Sequence, residues 1–182
     1  MEIVTTAIPD VSILIPRVFK DERGFFLETF NKQRLNGLGV NYEFVQDNLS
    51  GSKRGALRGL HYQIQYPQGK LLTVLRGEVF DVAVDLRRSS PYFGKHVTCR
   101  LSEDERRFLW IPPGFAHGFL VLSETAELSY KATDYYHPEA ERTLLWNDES
   151  LCIDWPIDPS MQLVLSDKDW RGKSLSLAET YP

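Results

Sequence analysis

Val79-Phe80-Asp81-Val82-Ala83-Val84-Asp85-Leu86 alternates with a period of two: Phe80, Val82, Val84 and Leu86 share one face, and Asp81 and Asp85 fall on the other. That is the signature of a strand. Working outward, residues 25–30, 44–49, 71–75, 96–101 and 128–133 read as further short strands. Turn signals separate them at Arg76-Gly77-Glu78, Ser89-Ser90-Pro91 and Pro112-Pro113-Gly114. Only residues 31–38 predict a helix, capped by Asn31 and ended by Gly37 or Gly39. Many short strands with regular glycines and prolines predict a mainly β chain, a jelly-roll barrel with a few short helices. There is no internal repeat or linker, so a single domain over 1–182 is expected. The segment from about 148 onward is richer in proline and polar residues. Its Trp155, Leu163, Leu165 and Trp170 predict that it packs on the barrel.

A 42% apolar and 25% charged composition over 182 residues is that of a soluble globular domain able to bury a core. No run approaches the ~18 apolar residues that a membrane span needs. The start, Met1-Glu2-Ile3, lacks the basic region of a secretory signal, so a cytoplasmic location is expected, with no membrane partner. Net charge is −4, and no Lys/Arg cluster is long enough to track a nucleic-acid backbone. A few placed basic residues must therefore meet any anionic ligand. Cys99 and Cys152 form neither a disulfide framework nor a C-x-x-C metal spacing; both are expected to be buried, inert thiols.

The chemistry concentrates in Arg58-Gly59-Leu60-His61-Tyr62-Gln63 and the following Gln68-Gly69-Lys70. An imidazole can act as a base near neutral pH, and a nearby ammonium can hold the oxyanion formed when a proton leaves carbon next to a carbonyl. With Gly59-Leu60-His61 and the later Pro112-Pro113-Gly114-Phe115-Ala116-His117-Gly118, the chain resembles a cupin. More narrowly, it resembles the dTDP-4-dehydrorhamnose 3,5-epimerase family. Matching segments run nearly end to end, among them Asp21-Glu22-Arg23-Gly24-Phe25-Phe26, Phe44-Val45-Gln46-Asp47-Asn48, Tyr130-Lys131-Ala132-Thr133, Trp146-Asn147-Asp148-Glu149 and Ser166-Asp167-Lys168-Asp169.

The resemblance implies a dTDP-4-keto-6-deoxyhexose substrate and inversion at C3 and C5. It assigns His61 as base, Asp169 as the carboxylate that orients its ring, Lys70 as the oxyanion donor and Tyr130 as the acid on the far face. By the same carry-over, Arg58 and Lys168 contact the diphosphate, while Arg23, Glu28, Gln46, Asn48, Glu141 and His117 hold nucleotide or sugar. On a regular strand Arg58 and His61 would point to opposite faces; a bulge at Gly59 is expected to bring both into one cavity.

Many cupins bind a metal through a His-x-His pair, a glutamate and a later histidine. Here the pair reads His61-Tyr62-Gln63, leaving only His61 and His117, so no metal and no cofactor are expected. His96 and His137 read as surface residues. A mono-epimerase, a metal-dependent cupin and a non-catalytic barrel that binds a nucleotide sugar are the competing readings. An apolar open sheet edge, together with the resemblance, implies a homodimer with exchanged N-terminal strands, in which Arg23 reaches the partner's site.

Overall fold

The computed structural model describes residues 1–182. The first strands are β1 (Glu2–Thr5), β2 (Ser12–Ile15), β3 (Val18–Asp21) and β4 (Gly24–Leu27), followed by the helix α1 (Lys32–Gly37). Then come β5 (Gln46–Lys53), β6 (Leu57–Gln63), β7 (Lys70–Arg76), β8 (Glu78–Asp85) and β9 (His96–Ser102). The remaining elements are β10 (Phe108–Ile111), β11 (Phe115–Val121), β12 (Thr125–Ala132), β13 (Glu141–Thr143) and the short helix α2 (Asp167–Trp170). Asn31 caps α1 by accepting from the Arg34 amide, and Gly39 follows its end with φ of +89°.

Two sheets face each other. One has the order β1-β2-β10-β7-β12-β5 and the other β13-β6-β11-β8-β9. Every pairing within them is antiparallel. This is the closed sandwich of a jelly roll. The hairpin β3–β4 stands apart as a two-stranded sheet.

Alternation along β8 resolves in an unexpected sense. Phe80, Val82, Val84 and Leu86 do not point between the sheets; with Ala116 and Leu120 of β11 they form an outer layer. The chain after residue 148 covers that layer with Leu151, Trp155 and Ala178, and Trp155 meets Phe80 edge-on. The other face of β8, with Val79 and Ala83, joins Phe115, Phe119 and Leu128 in the interior between the sheets. Asp81 and Asp85 are therefore inside, both 0% exposed. Asp85 is neutralised by Arg87 at 2.7 Å and by the Ser90 hydroxyl at 2.6 Å, as a buried charge requires.

The C-terminal segment is almost free of regular structure but is pinned by parallel bridges, Ala56 to Val164, Leu144 to Lys173 and Arg87 to Tyr181. One expectation fails here. Cys99 is buried, and burial pushes its thiol up to about 11, but Cys152 is exposed at the left-handed end of a 3₁₀ turn. Its apolar neighbours in sequence, Leu151 and Ile153, turn inward and leave it outside. No helix is long and apolar enough to cross a membrane.

Candidate active site

The site follows from strand register. Across β5, β12 and β7, Asn48 lies opposite Tyr130 and Tyr130 opposite Leu72, while Gln46 lies opposite Ala132 and Ala132 opposite Lys70. Side chains two apart share a face, so Gln46, Asn48, Tyr130 and Lys70 all point the same way. They line a cavity of about 640 Å³ between the sheets. That volume suits a small organic ligand.

From the facing sheet come Arg58 and His61 of β6 and His117 of β11. His117 pairs with His61 and Phe119 pairs with Arg58, so Gly59 and Leu60 together stand opposite the single residue Gly118. This is the bulge expected at Gly59, and it restores Arg58 and His61 to one side. Gly59 has φ of +131°, and a Cβ there would lie 2.5 Å from Gly118 Cα. Only glycine fits.

Asp169 reaches His61 from α2, and its carboxylate is fully engaged. Oδ1 accepts from His61 Nε2 at 2.6 Å and from the Gly59 amide at 3.3 Å. Oδ2 accepts from the Ser166 hydroxyl at 2.6 Å and the Ser166 amide at 3.1 Å, closing a capping box on α2. Burial pushes this carboxyl up, but the hydrogen bonds from His61 and Ser166 and the charge of His61 outweigh it and hold Asp169 at about 2. An ionised carboxylate only accepts, so His61 Nε2 is the donor and, in the neutral ring, the lone pair sits on Nδ1.

Lys70 is lowered to about 8 by burial, against the charges of Asp81 and Glu141, which raise it. Burial also raises the Tyr130 phenol, against the positive charges of Arg58 and Lys168, so it keeps its proton. On the cavity's lining, His117 Nε2 lies 2.9 Å from Asp81 Oδ2, a second and buried imidazole–carboxylate pair. At the mouth, the Glu141 carboxylate accepts from Lys168 at 2.9 Å and from the Tyr136 hydroxyl at 3.2 Å.

His61, Lys70, Tyr130, Asp169, Gln46, Asn48, Arg58, His117, Glu141 and Lys168 thus all line one cavity. Arg23 and Glu28 do not. Arg23 sits at the tip of the β3–β4 hairpin, 85% exposed and paired with Asp21, and Glu28 bonds Asn31 and Arg34 beside α1. The hairpin lies outside both sheets, and neither residue is among those that line the same chain's cavity. His137 is half-buried against Tyr66, which stacks on it at 4.3 Å, and His96 is half-buried too.

Sequence reading missed Asp81, Ser166, Gln63 and Tyr136. Ser166-Asp167-Lys168-Asp169 carried a signal, since a serine three residues before an acid is a helix-start pattern. Asp81 also stood out as an acid inside an apolar strand. Gln63 was marked only as the glutamine in place of a second metal-binding histidine, and nothing in the sequence marked Tyr136.

The barrel with a reactive cavity between its sheets places the protein among the cupins. A family model described as dTDP-4-dehydrorhamnose 3,5-epimerase matches residues 5–176. A Pseudomonas aeruginosa protein named dTDP-4-dehydrorhamnose 3,5-epimerase is 54% identical over the whole of both chains. A crystal structure of a dTDP-6-deoxy-D-glucose-3,5-epimerase from Legionella pneumophila, in complex with dTDP-4-keto-L-rhamnose, superposes with a TM-score of 0.95 at 52% identity, covering 98% of this chain and 94% of that one. A 3'-monoepimerase from Streptomyces bikiniensis, in complex with dTDP-quinovose, gives a TM-score of 0.87 at 30% identity over 94% and 87% of the two chains. The chain belongs to the dTDP-4-dehydrorhamnose 3,5-epimerase family, whose members are isomerases.

Proposed function

We propose that this protein inverts C3 and C5 of dTDP-4-dehydro-6-deoxy-D-glucose, giving dTDP-4-dehydro-L-rhamnose. The observation that carries the reading is the placement of base and acid on opposing sheets. His61 projects from β6 and Tyr130 from β12 into one cavity, so a sugar ring between them meets a proton acceptor on one face and a donor on the other.

The C4 ketone acidifies the hydrogens on both neighbouring carbons. His61 Nδ1 takes the proton, and Asp169 supplies a negative charge beside the ring where a positive one develops. The electron pair moves onto the ketone oxygen, where Lys70 donates to the resulting enolate. Tyr130 then protonates the same carbon from the opposite face. After one inversion the imidazole holds an extra proton and the phenol lacks one. Both must exchange with solvent before the second carbon reacts, and this is how label from D₂O enters the product.

Arg58 and Lys168 bind the diphosphate by charge-assisted bonds, and Lys168 must leave Glu141 to do so. Gln46, Asn48, His117 and Glu141 line the space left for sugar and base. No metal takes part in this scheme: the cavity offers two imidazoles, His61 and His117, short of the three protein ligands typical of a catalytic metal. The whole chain acts as one epimerase domain. Two chains form a homodimer in which the β3–β4 hairpins are exchanged, bringing Arg23 and Glu28 to the partner's cavity. Phe25 and Phe26, 56% and 69% exposed, support this, since such side chains ask for a covering surface. Two unpaired cysteines suit the reducing cytoplasm.

Deuterium incorporation from D₂O, followed by NMR without added metal, tests the activity. Label at both C3 and C5 is expected from the native protein, and Tyr130→Phe is expected to lose label at C5 preferentially. Label at C3 alone in the native protein would make it a mono-epimerase, and label at neither carbon would reject the substrate.

A further inference from the structure

Three glutamines lining the cavity commit their amides to one short segment at its mouth. Gln68 Nε2 donates to the Asp134 carbonyl at 2.8 Å, and Gln63 Nε2 donates to the Tyr135 carbonyl at 3.2 Å. The Tyr136 amide donates to Gln46 Oε1 at 2.9 Å, and the His137 amide donates to Gln63 Oε1 at 2.8 Å. Four consecutive residues are thus held by their backbones from the barrel wall. Gln63 does more than the other two. Its Nε2 also donates to the Tyr66 carbonyl at 2.7 Å, so it joins from below the two residues whose rings stack, Tyr66 and His137. It is 4% exposed, and both hydrogens and the oxygen of its amide are used.

We propose that Gln63 is a positioning residue that sets affinity for the nucleotide end of the substrate by fixing residues 134–137 as a preformed wall of the mouth. The inference rests on the epimerase reading for the identity of that nucleotide. Tyr136, at the centre of the segment, faces the cavity and bonds Glu141, which holds Lys168, so this wall is continuous with the expected diphosphate contact. His61, Lys70 and Tyr130 are held by the backbone ladders of β6, β7 and β12, which the Gln63 side-chain amide does not enter. Without the Gln63 amide, the His137 N–H and two carbonyls lose their partners. The segment must then be ordered at the moment of binding, and that cost falls on affinity.

Gln63→Met keeps the side chain's bulk and removes its hydrogen bonds. Three quantities decide the matter: amide hydrogen exchange at His137, the Kd for dTDP by calorimetry, and the split between KM and kcat. The expected result is His137 exchange about tenfold faster, with Kd and KM raised about tenfold and kcat within about threefold of the native value. A fall in kcat with KM unchanged would overturn the proposal by placing Gln63 in the chemistry. Faster exchange with Kd and KM unchanged would overturn it by making the wall irrelevant to capture. Should Gln63→Met not fold, Gln68→Met releases the Asp134 end and is expected to shift KM and Kd in the same direction by a smaller factor; no shift would overturn the proposal. Native protein that binds dTDP but turns over no 4-keto sugar nucleotide would sink the epimerase reading alone, leaving the Kd and exchange results to judge Gln63.

Discussion

Lys70 can hold the enolate oxygen only while it keeps its proton. With the ammonium lowered to about 8, the donor is present below that pH and is lost as pH rises through it. Asp169, held at about 2, stays ionised throughout the neutral range and sets no limb there. The kcat/KM profile of the free enzyme is therefore expected to fall on the alkaline side with a midpoint near 8, and Lys70→Arg is expected to move that limb upward, because a guanidinium keeps its charge. A flat profile to pH 10 in the native protein would remove Lys70 from the reaction. His61→Ala is expected to lower kcat by about 10³-fold or more while the Kd for dTDP changes little, as separate rate and calorimetric measurements would show. Equal losses in both would make His61 a binding group instead.

At the scale of elements, the site depends on the crossing of Gly59 and Gly118. Gly59→Ala places a Cβ 2.5 Å from Gly118 Cα at a φ of +131°, and the backbone conformation alone is expected to cost about 1–3 kcal/mol. Urea unfolding should show the loss of stability, and activity should fall with it as Arg58 and His61 part. Full stability and activity would mean that the strand can rearrange around the methyl group. The need for this bulge was legible, since Arg58 and His61 could share a cavity in no other way on a period-two strand. The alternation of β8 was equally plain in Phe80, Val82, Val84 and Leu86. Which face looked inward was not, because a second apolar layer from Leu151, Trp155 and Ala178 covers what a lone sandwich would leave outside. Asp169 was found by resemblance. Its burial follows from the capping box of α2, a local pattern whose tertiary partner, the Gly59 amide, lies 110 residues away. Gln63 was read only as the residue in place of a metal-binding histidine, and Tyr136 not at all, because the roles proposed for them rest on contacts from the strands to a distant segment that no spacing encodes.

At the scale of the whole molecule, the exposed β3–β4 hairpin predicts assembly. Native protein is expected to sediment as a dimer at micromolar concentration, and Phe26→Glu to shift it toward monomer with a raised KM as Arg23 is withdrawn from the partner. A fully active native monomer would end that proposal. The C-terminal segment has a different consequence. Every strand of the barrel is complete by Thr143, yet Ser166, Lys168 and Asp169 are still to come. A nascent chain, made at roughly 5–20 residues per second, thus has all its strands before its reaction centre exists, while the outer face of β8 still waits for Leu151, Trp155 and Ala178 to cover it. Released early from the ribosome, it would carry an imidazole with nothing to orient it and a cavity without one of its phosphate anchors. Translation of the last few dozen codons is what arms the molecule, and an unfinished copy stays silent toward the sugar nucleotide around it.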